Sequence, residues 1–194
     1  MVILNMEKIK VSDLCDVVIN LHTAKTEIAN GTETKEIKIG MIKSKTLIEY
    51  SDETVRYDPN RMFTVKKNDI IIKRVNPVFV TLVSEDRGAV LGANLVCIRI
   101  KEKYKEKIMP EFLAAYLDAK IRTYMREDAA IPLLVAQKLR DLYIPLTDME
   151  KQKAIGLSWF YNSINYEKNK ALLETEYEYN QNLILKNLEE INGH

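Results

Sequence analysis

The chain has 194 residues, of which 46% are hydrophobic and 29% charged, and its net charge is +1. This composition is typical of one globular domain with an extension and excludes the disordered and collagen-like classes, as do the low counts of six Gly and five Pro. No run approaches the roughly 18 apolar residues of a membrane-spanning helix, and the N-terminus lacks the pattern of a signal peptide.

The cysteines and the charges give two weaker indications. Cys15 and Cys97 each lie in an apolar segment, which predicts buried, reduced thiols and a cytoplasmic location. Residues 1–110 hold 19 Lys and Arg against 15 Asp and Glu, whereas residues 147–194 hold 5 against 8. We therefore expect a polyanion to meet the first part of the chain, although ordinary solvated surface explains so small a bias equally well.

The first hundred residues contain short β-branched and aliphatic runs separated by polar turns, as strands do. These runs are 17–19, 36–42, 46–48, Ile70–Lys73, 78–83 and Leu95–Ile100. Their uneven spacing opposes a propeller or an immunoglobulin-like sandwich. An α+β fold with an irregular mixed or barrel-like sheet and packed helices is therefore expected.

From Pro110 onward the apolar residues recur at helical spacing. We predict a helix over 110–127 that packs on the sheet, a shorter helix around 134–142, and an extended segment at 143–146.

A long C-terminal helix is predicted over 147–191. Thr147 and Glu150 have the spacing of a capping box, in which the Thr hydroxyl accepts a hydrogen bond from the Glu150 amide. No proline follows, so about 44 residues form a helix of about 66 Å. The alternative is a hairpin of two helices broken around 162–165 or 167–169. The expected domains are residues 1–146, which would bind DNA, and residues 147–194.

Apolar residues run down this helix, and the domain alone is too small to bury them. We therefore expect the helix to pair with a helix of another chain, either a second copy or a different subunit. Polar residues interrupt the heptads, so antiparallel or mixed packing is favoured over a parallel zipper. The predicted dimerisation residues are Ile155, Trp159, Ile164, Leu173, Tyr177, Ile184 and Leu188.

The sequence offers few groups for catalysis. The only histidines, His22 and His194, have no nucleophile or carboxylate at motif spacing, and phosphate-binding loops and metal-ligand clusters are absent. The segment 76–79 (NPVF) is similar to the Asn-Pro-Pro-aromatic loop of amino-methyltransferases, but Val78 replaces the second proline and the cofactor-binding glycine turn is missing. We predict a protein without catalytic residues, cofactor or metal.

Basic residues at loops and strand ends are the candidates for DNA contact, because such positions reach phosphates and base edges. They are Lys43, Lys45, Arg61, Lys73, Arg74 and Arg87. Arg74 and Arg87 are preferred as base contacts, since Arg is the commonest reader of guanine.

Taken together, residues 8–185 resemble one half of the specificity subunit of type I restriction–modification enzymes. Four segments carry the resemblance: IKVSDLCD at 9–16, NDIIIKRV at 68–75, GANLV at 92–96 and LRDLYIPLTDMEKQKAI at 139–155. The last is similar to the family's junction between recognition domain and spacer helix. Asn68 stands where Gly is usual, and Thr147-Asp148 replace the usual Pro-Pro.

The resemblance implies a target recognition domain that reads a few base pairs of double-stranded DNA, and a helix that sets spacing. It further implies a methyltransferase subunit as partner, and either a homodimer on a symmetric two-part site or pairing with another half-subunit. A fragment detached from a longer enzyme is also consistent with it. The alternative function is a non-catalytic scaffold that oligomerises through its C-terminal helix, and a stand-alone enzyme is the least favoured.

Overall fold

The fold was analysed in a computed structural model, which describes residues 7–19, 31–58, 63–75, 78–127 and 136–192. The strands are β1 (Lys8–Lys10), β2 (Cys15–Ile19), β3 (Thr32–Ile37), β4 (Thr54–Tyr57), β5 (Ile70–Lys73), β6 (Phe79–Leu82), β7 (Val90–Leu91), β8 (Leu95–Ile100) and β9 (Tyr143–Pro145). The helices are α1 (Val11–Leu14), α2 (Pro110–Glu127), α3 (Ala136–Arg140) and α4 (Met149–Asn192), with short 3-10 turns at Ile39–Met41 and Glu102–Tyr104.

A four-stranded antiparallel sheet in the order β2-β8-β5-β6 forms the centre of the domain. Successive side chains of a strand point to opposite faces, so Ile70 and Ile72 join one core cluster and Ile71 joins another. The first cluster includes Leu113 and Leu117 of α2. The helix therefore packs on the sheet as predicted. Both faces of β5 are buried, which explains its uninterrupted apolar sequence.

Two smaller sheets complete the fold. In one, β3 pairs antiparallel with β4 and parallel with β7; in the other, β1 pairs antiparallel with β9. The predicted α+β class, with an irregular mixed sheet, packed helices and a long C-terminal helix, is confirmed. The described strands form three open sheets and no closed barrel.

Some strands and one helical turn differ from the elements predicted from the sequence. The strand predicted at 36–42 lies earlier, as β3 at Thr32–Ile37, and only the single bridge Ile42–Ile48 remains of the strand at 46–48. β4 was missed. β3 is polar except for the buried Ile37, and β4 alternates between exposed and half-buried positions, so hydrophobic runs do not mark them. The helical turn α1 was likewise unexpected; it buries Val11 and Leu14.

The start of α4 differs from the predicted capping box by one residue. The backbone amide of Lys151 donates to Asp148 Oδ1 at 2.8 Å, so Asp148 rather than Thr147 is the cap. A carboxylate is favoured there because it also complements the positive end of the helix dipole. α4 is continuous over its 44 residues, which rules out the predicted alternative of a broken hairpin.

By its contacts the chain forms two compact units, residues 1–160 and residues 161–194. The first unit includes the first three turns of α4, where Gly156 lies so close to α2 that an added Cβ would stand 2.7 Å from the amide nitrogen of Phe112. The second unit is the remainder of α4. The proposed functional division at residue 146 stays a prediction.

Candidate nucleic-acid and partner surfaces

The loop at residues 42–48, called here the 42–48 loop, carries two of the predicted DNA-contacting lysines. Its backbone is attached to β6, because the Thr81 hydroxyl donates to Ser44 O at 2.7 Å and the Leu82 amide donates to Lys45 O at 2.9 Å. The Lys43 side chain is 46% exposed, with Glu49 as its acidic neighbour at 3.2 Å. The loop therefore presents Lys43 to solvent from a fixed backbone.

Lys45, in contrast, reaches into the domain. Its Nζ lies 2.8 Å from Asp118 Oδ2, and its side chain is only 27% exposed. Asp118 also accepts hydrogen bonds from Trp159 Nε1 at 2.9 Å and from Arg122 one helical turn away. Burial pushes the pKa of Asp118 upward, but its bonds to Arg122, Lys45 and Trp159 outweigh this and hold the pKa below its usual 3.8.

Arg87 lies in the exposed connection between β6 and β7. Its guanidinium is 2.7 Å from Glu85 and 5.5 Å from the ring centre of Tyr50. Lys66 and Lys67 precede β5 at the same end of the sheet, where the Lys67 amide donates to Asp86 Oδ1. Both lysine side chains are exposed.

Lys73 and Arg74 lie at the opposite end of the sheet. Ile70 faces Leu82 in the register of β5 and β6, whereas Lys73 faces Phe79 at the far end. The three steps from Ile70 to Lys73, at about 3.3 Å each, separate the two ends by about 10 Å. The Arg74 amide donates to Asn94 O at 3.1 Å, which secures this end to the start of β8.

The predicted DNA-contacting residues therefore do not form one patch. Lys43 and Arg87 lie toward one end of the central sheet, and Lys73 and Arg74 toward the other. Arg61, also predicted to contact DNA, lies outside the described residues. Lys66 and Lys67 are not among the predicted DNA contacts, although a Lys-Lys pair directly before a turn is a signal that could have selected them.

The second unit exposes large apolar side chains along its length. Leu173 and Tyr177 are each 65% exposed, Ile184 is 51% and Leu188 is 50%. At about 100° per residue these four residues and Tyr166 fall within about 60° of the helix circumference. We call them the first stripe. Leu172, Tyr179 and Leu183 form a second stripe about 130° away and are also exposed.

The other three predicted dimerisation residues lie elsewhere. Ile155 is 48% exposed on the first part of α4. Trp159 is partly buried and packs against the first core cluster of the domain. Ile164 is partly buried and lies on the side of the helix away from the first stripe. Of the seven, Leu173, Tyr177, Ile184 and Leu188 lie on the first stripe of the second unit, whereas Ile155 and Trp159 belong to the first unit.

The described residues give no sign of a metal centre: no three His, Cys, Asp or Glu side chains among them gather as ligands. Cys15 and Cys97 are buried and free, as predicted. No helix in the described ranges has the length and apolarity needed to cross a membrane.

Comparison with known proteins assigns the fold. The sequence profile described as "Type I restriction modification DNA specificity domain" matches residues 4–176. A chain solved in work on complex assembly and conformational transition of the type I R-M system has a TM-score of 0.61 at 14% identity, over 92% of this chain and 43% of that one. The HsdS subunit from Thermoanaerobacter tengcongensis has a TM-score of 0.57 at 12% identity, over 90% of this chain and 40% of that one. The chain thus spans less than half the length of these two proteins. No curated protein sequence matches it.

Proposed function

Because this chain belongs to the family of type I restriction–modification DNA specificity domains, we propose that it reads a double-stranded DNA sequence and directs a partner methyltransferase subunit, and a nuclease with it, to that site. The family match over residues 4–176 is the observation that carries this proposal. The chain itself supplies recognition and assembly, and the chemistry belongs to the partner subunits. A module of this kind acts in the compartment that holds the DNA, which in a bacterium is the cytoplasm.

The proposed DNA contacts are Lys43, Lys73, Arg74 and Arg87. Lys43 and Arg87 are exposed at loop positions, and each pairs with an exposed carboxylate. A phosphate can replace such a solvent-screened partner at little cost. Lys73 and Arg74, at the far end of the sheet, extend the footprint along the duplex. Lys45 is treated separately below, because Asp118 already holds it.

We further propose that a second copy of the chain covers the first stripe. An apolar row in water is an unusual feature of a protein that acts alone. Two copies joined through this helix would carry two reading domains and so read a two-part site. The second stripe lies on another side of the helix and gives the methyltransferase subunit a separate surface.

Binding to duplex DNA tests the first proposal. We expect a steep fall in affinity with salt, with a slope of about 0.9 for each phosphate contacted, and a footprint that resolves into two half-sites. A randomised duplex of equal length is the control for sequence preference. Failure to bind any duplex at low salt would refute DNA reading.

Leu173→Glu tests self-association. The substitution places a charge in the middle of the first stripe, so a dimer should dissociate to monomer in sedimentation equilibrium. Thr175→Glu is the matched control, because Thr175 is exposed two residues away on the opposite side of the helix. A wild-type chain that is monomeric at every concentration, or a Leu173→Glu chain that stays dimeric, would contradict the proposal.

The scaffold interpretation rests on the same exposed helix but requires no DNA. Dimerisation through the first stripe together with no duplex binding at low salt would favour it.

A further inference from the structure

Asp118 is the point at which three parts of the domain meet. It lies on α2, its carboxylate is 2.8 Å from Lys45 Nζ of the 42–48 loop, and it accepts the indole N–H of Trp159 on α4 at 2.9 Å. Its side chain is only 8% exposed. One buried carboxylate therefore joins the loop to the first turns of α4.

The two lysines of the loop differ in what it costs to remove them from their partners. Lys43 pairs with Glu49, and both side chains are substantially exposed, so water screens the pair. Lys45 pairs with a buried carboxylate, and its Nζ also lies 5.8 Å from the ring centre of Trp159. Moving Lys45 to a phosphate would remove one of the two cations that compensate the buried Asp118 and leave it with Arg122 and Trp159, which is unfavourable.

We propose that Asp118 is a positioning residue for DNA recognition. It keeps Lys45 inside the domain and thereby fixes the 42–48 loop against α4, so that Lys43 can reach a phosphate of the DNA backbone. This rests on the proposed function in that duplex DNA is the ligand. The hydrogen bonds that Thr81 and Leu82 of β6 donate to carbonyls of the loop fix its other side. The loop thus enters the complex already ordered, and loses no conformational freedom there.

The salt dependence of duplex binding separates a phosphate contact from a tether. Lys43→Met should lower the magnitude of the slope of log affinity against log salt by about 0.9 for each chain on the duplex, the value for one phosphate. Lys45→Met should leave this slope unchanged while it weakens discrimination between the preferred and a randomised duplex. Asp118→Asn releases Lys45 and should raise the magnitude of the slope by up to about 0.9 for each chain on the duplex, and Lys45→Met in that background should restore the original slope. A slope that falls equally for Lys43→Met and Lys45→Met would overturn the proposal.

A second measurement needs no DNA. Trp159 is the only tryptophan, so its indole N–H gives a single resonance in a proton–nitrogen correlation spectrum. Lys45→Met should shift that resonance and Lys43→Met should not. Lys45→Arg keeps the charge, so its indole resonance should lie closer to the wild-type position than that of Lys45→Met. If Lys45→Met does not fold, Lys45→Gln is used instead.

The two measurements also distinguish a failure of the proposed DNA reading from a failure of the proposed role of Asp118. If the wild-type chain binds no duplex, the proposed function fails and with it the role of Asp118 in recognition, whatever the indole resonance does. If duplex binds but Lys45→Met leaves the resonance unmoved, the tether alone is overturned. Duplex binding with the unequal slopes and the shifted resonance supports both.

Discussion

Gln152 helps to attach the beginning of α4 to the domain through three hydrogen bonds, and its replacement by Met should destabilise the protein. The side chain is fully buried. Its Oε1 accepts from the amide of Met109 at 2.9 Å, and its Nε2 donates to the carbonyls of Lys107 and Thr147, each at 2.9 Å. Methionine has nearly the same length and volume, so the substitution removes the three hydrogen bonds with little change in packing.

The three lost bonds are not equivalent. The amide of Met109 is the most costly, because this half-buried N–H has a single hydrogen to donate whereas a carbonyl has two lone pairs, and a donor without an acceptor costs about 1–3 kcal/mol when it is buried. Lys107 is exposed and Thr147 is half-buried, so water can reach their carbonyls and each contributes less. We expect a total loss of about 2–4 kcal/mol, a large part of the 5–15 kcal/mol that is usual for a folded domain.

Urea unfolding followed by the fluorescence of Trp159 measures this loss, since Trp159 is the only tryptophan and packs on the same core. Protein concentration is held constant, because self-association adds to apparent stability. Lys153→Met is the control: it places the same side chain at the next residue, which is exposed, and should change the unfolding free energy by less than about 0.5 kcal/mol. A Gln152→Met protein within about 1 kcal/mol of the wild type would refute the role assigned to these bonds.

Three further outcomes are expected. Gly156→Ala should destabilise the protein by about 1–2 kcal/mol in urea unfolding, because the clash of the new methyl group with the backbone of Phe112 exceeds the usual helical gain; a stabilised variant would contradict the close approach. Asn68→Ala should cost about 1 kcal/mol and Asn68→Gly nothing, since Asn68 has φ 70°; equal losses would show that the side chain matters more than the backbone. Burial raises the pKa of the Cys15 thiol to about 12 and that of Cys97 well above 9.0, so a thiol reagent should label both at least about 100-fold more slowly in the native than in the unfolded protein.

The parts of the fold that were predicted correctly are those whose burial leaves a pattern in the sequence. β5 and β8 are buried on both faces and were found to the residue, and α2 was found from its single apolar face. β4 alternates between exposed and half-buried positions and carries an arginine, so its sequence resembles a loop. Its pairing with β3 is decided by tertiary contacts between distant segments, which a local pattern does not record.

In the candidate site, too, the sequence predicts local features but not tertiary contacts. The position of a basic residue at a loop or strand end was predictable, but its partner was not. Lys43 and Lys45 are two residues apart and chemically identical, yet one faces solvent and the other pairs with Asp118, 73 positions further along the chain. Only the packing of α2 against the 42–48 loop distinguishes them.

The residues that carry the family resemblance explain why it identifies an architecture but no target sequence. In the segment at 68–75, Asn68 adopts a left-handed turn that Gly adopts most easily, and the buried Asp69 binds Arg99 through both carboxylate oxygens at 2.8 and 2.6 Å. In the junction at 139–155, Gln152 holds α4 to the loop before α2. These contacts are internal, so they hold this domain and helix together without touching a ligand. The residues proposed to contact DNA lie at loops and strand ends, where a substitution can change which DNA sequence is bound without loss of the fold. Exchanging such surface residues between members of the family should therefore alter the sequence preference of the protein, while its unfolding free energy stays within about 0.5 kcal/mol per substitution. Replacing Gln152 or Asp69 should instead lower the unfolding free energy and leave the sequence preference unchanged.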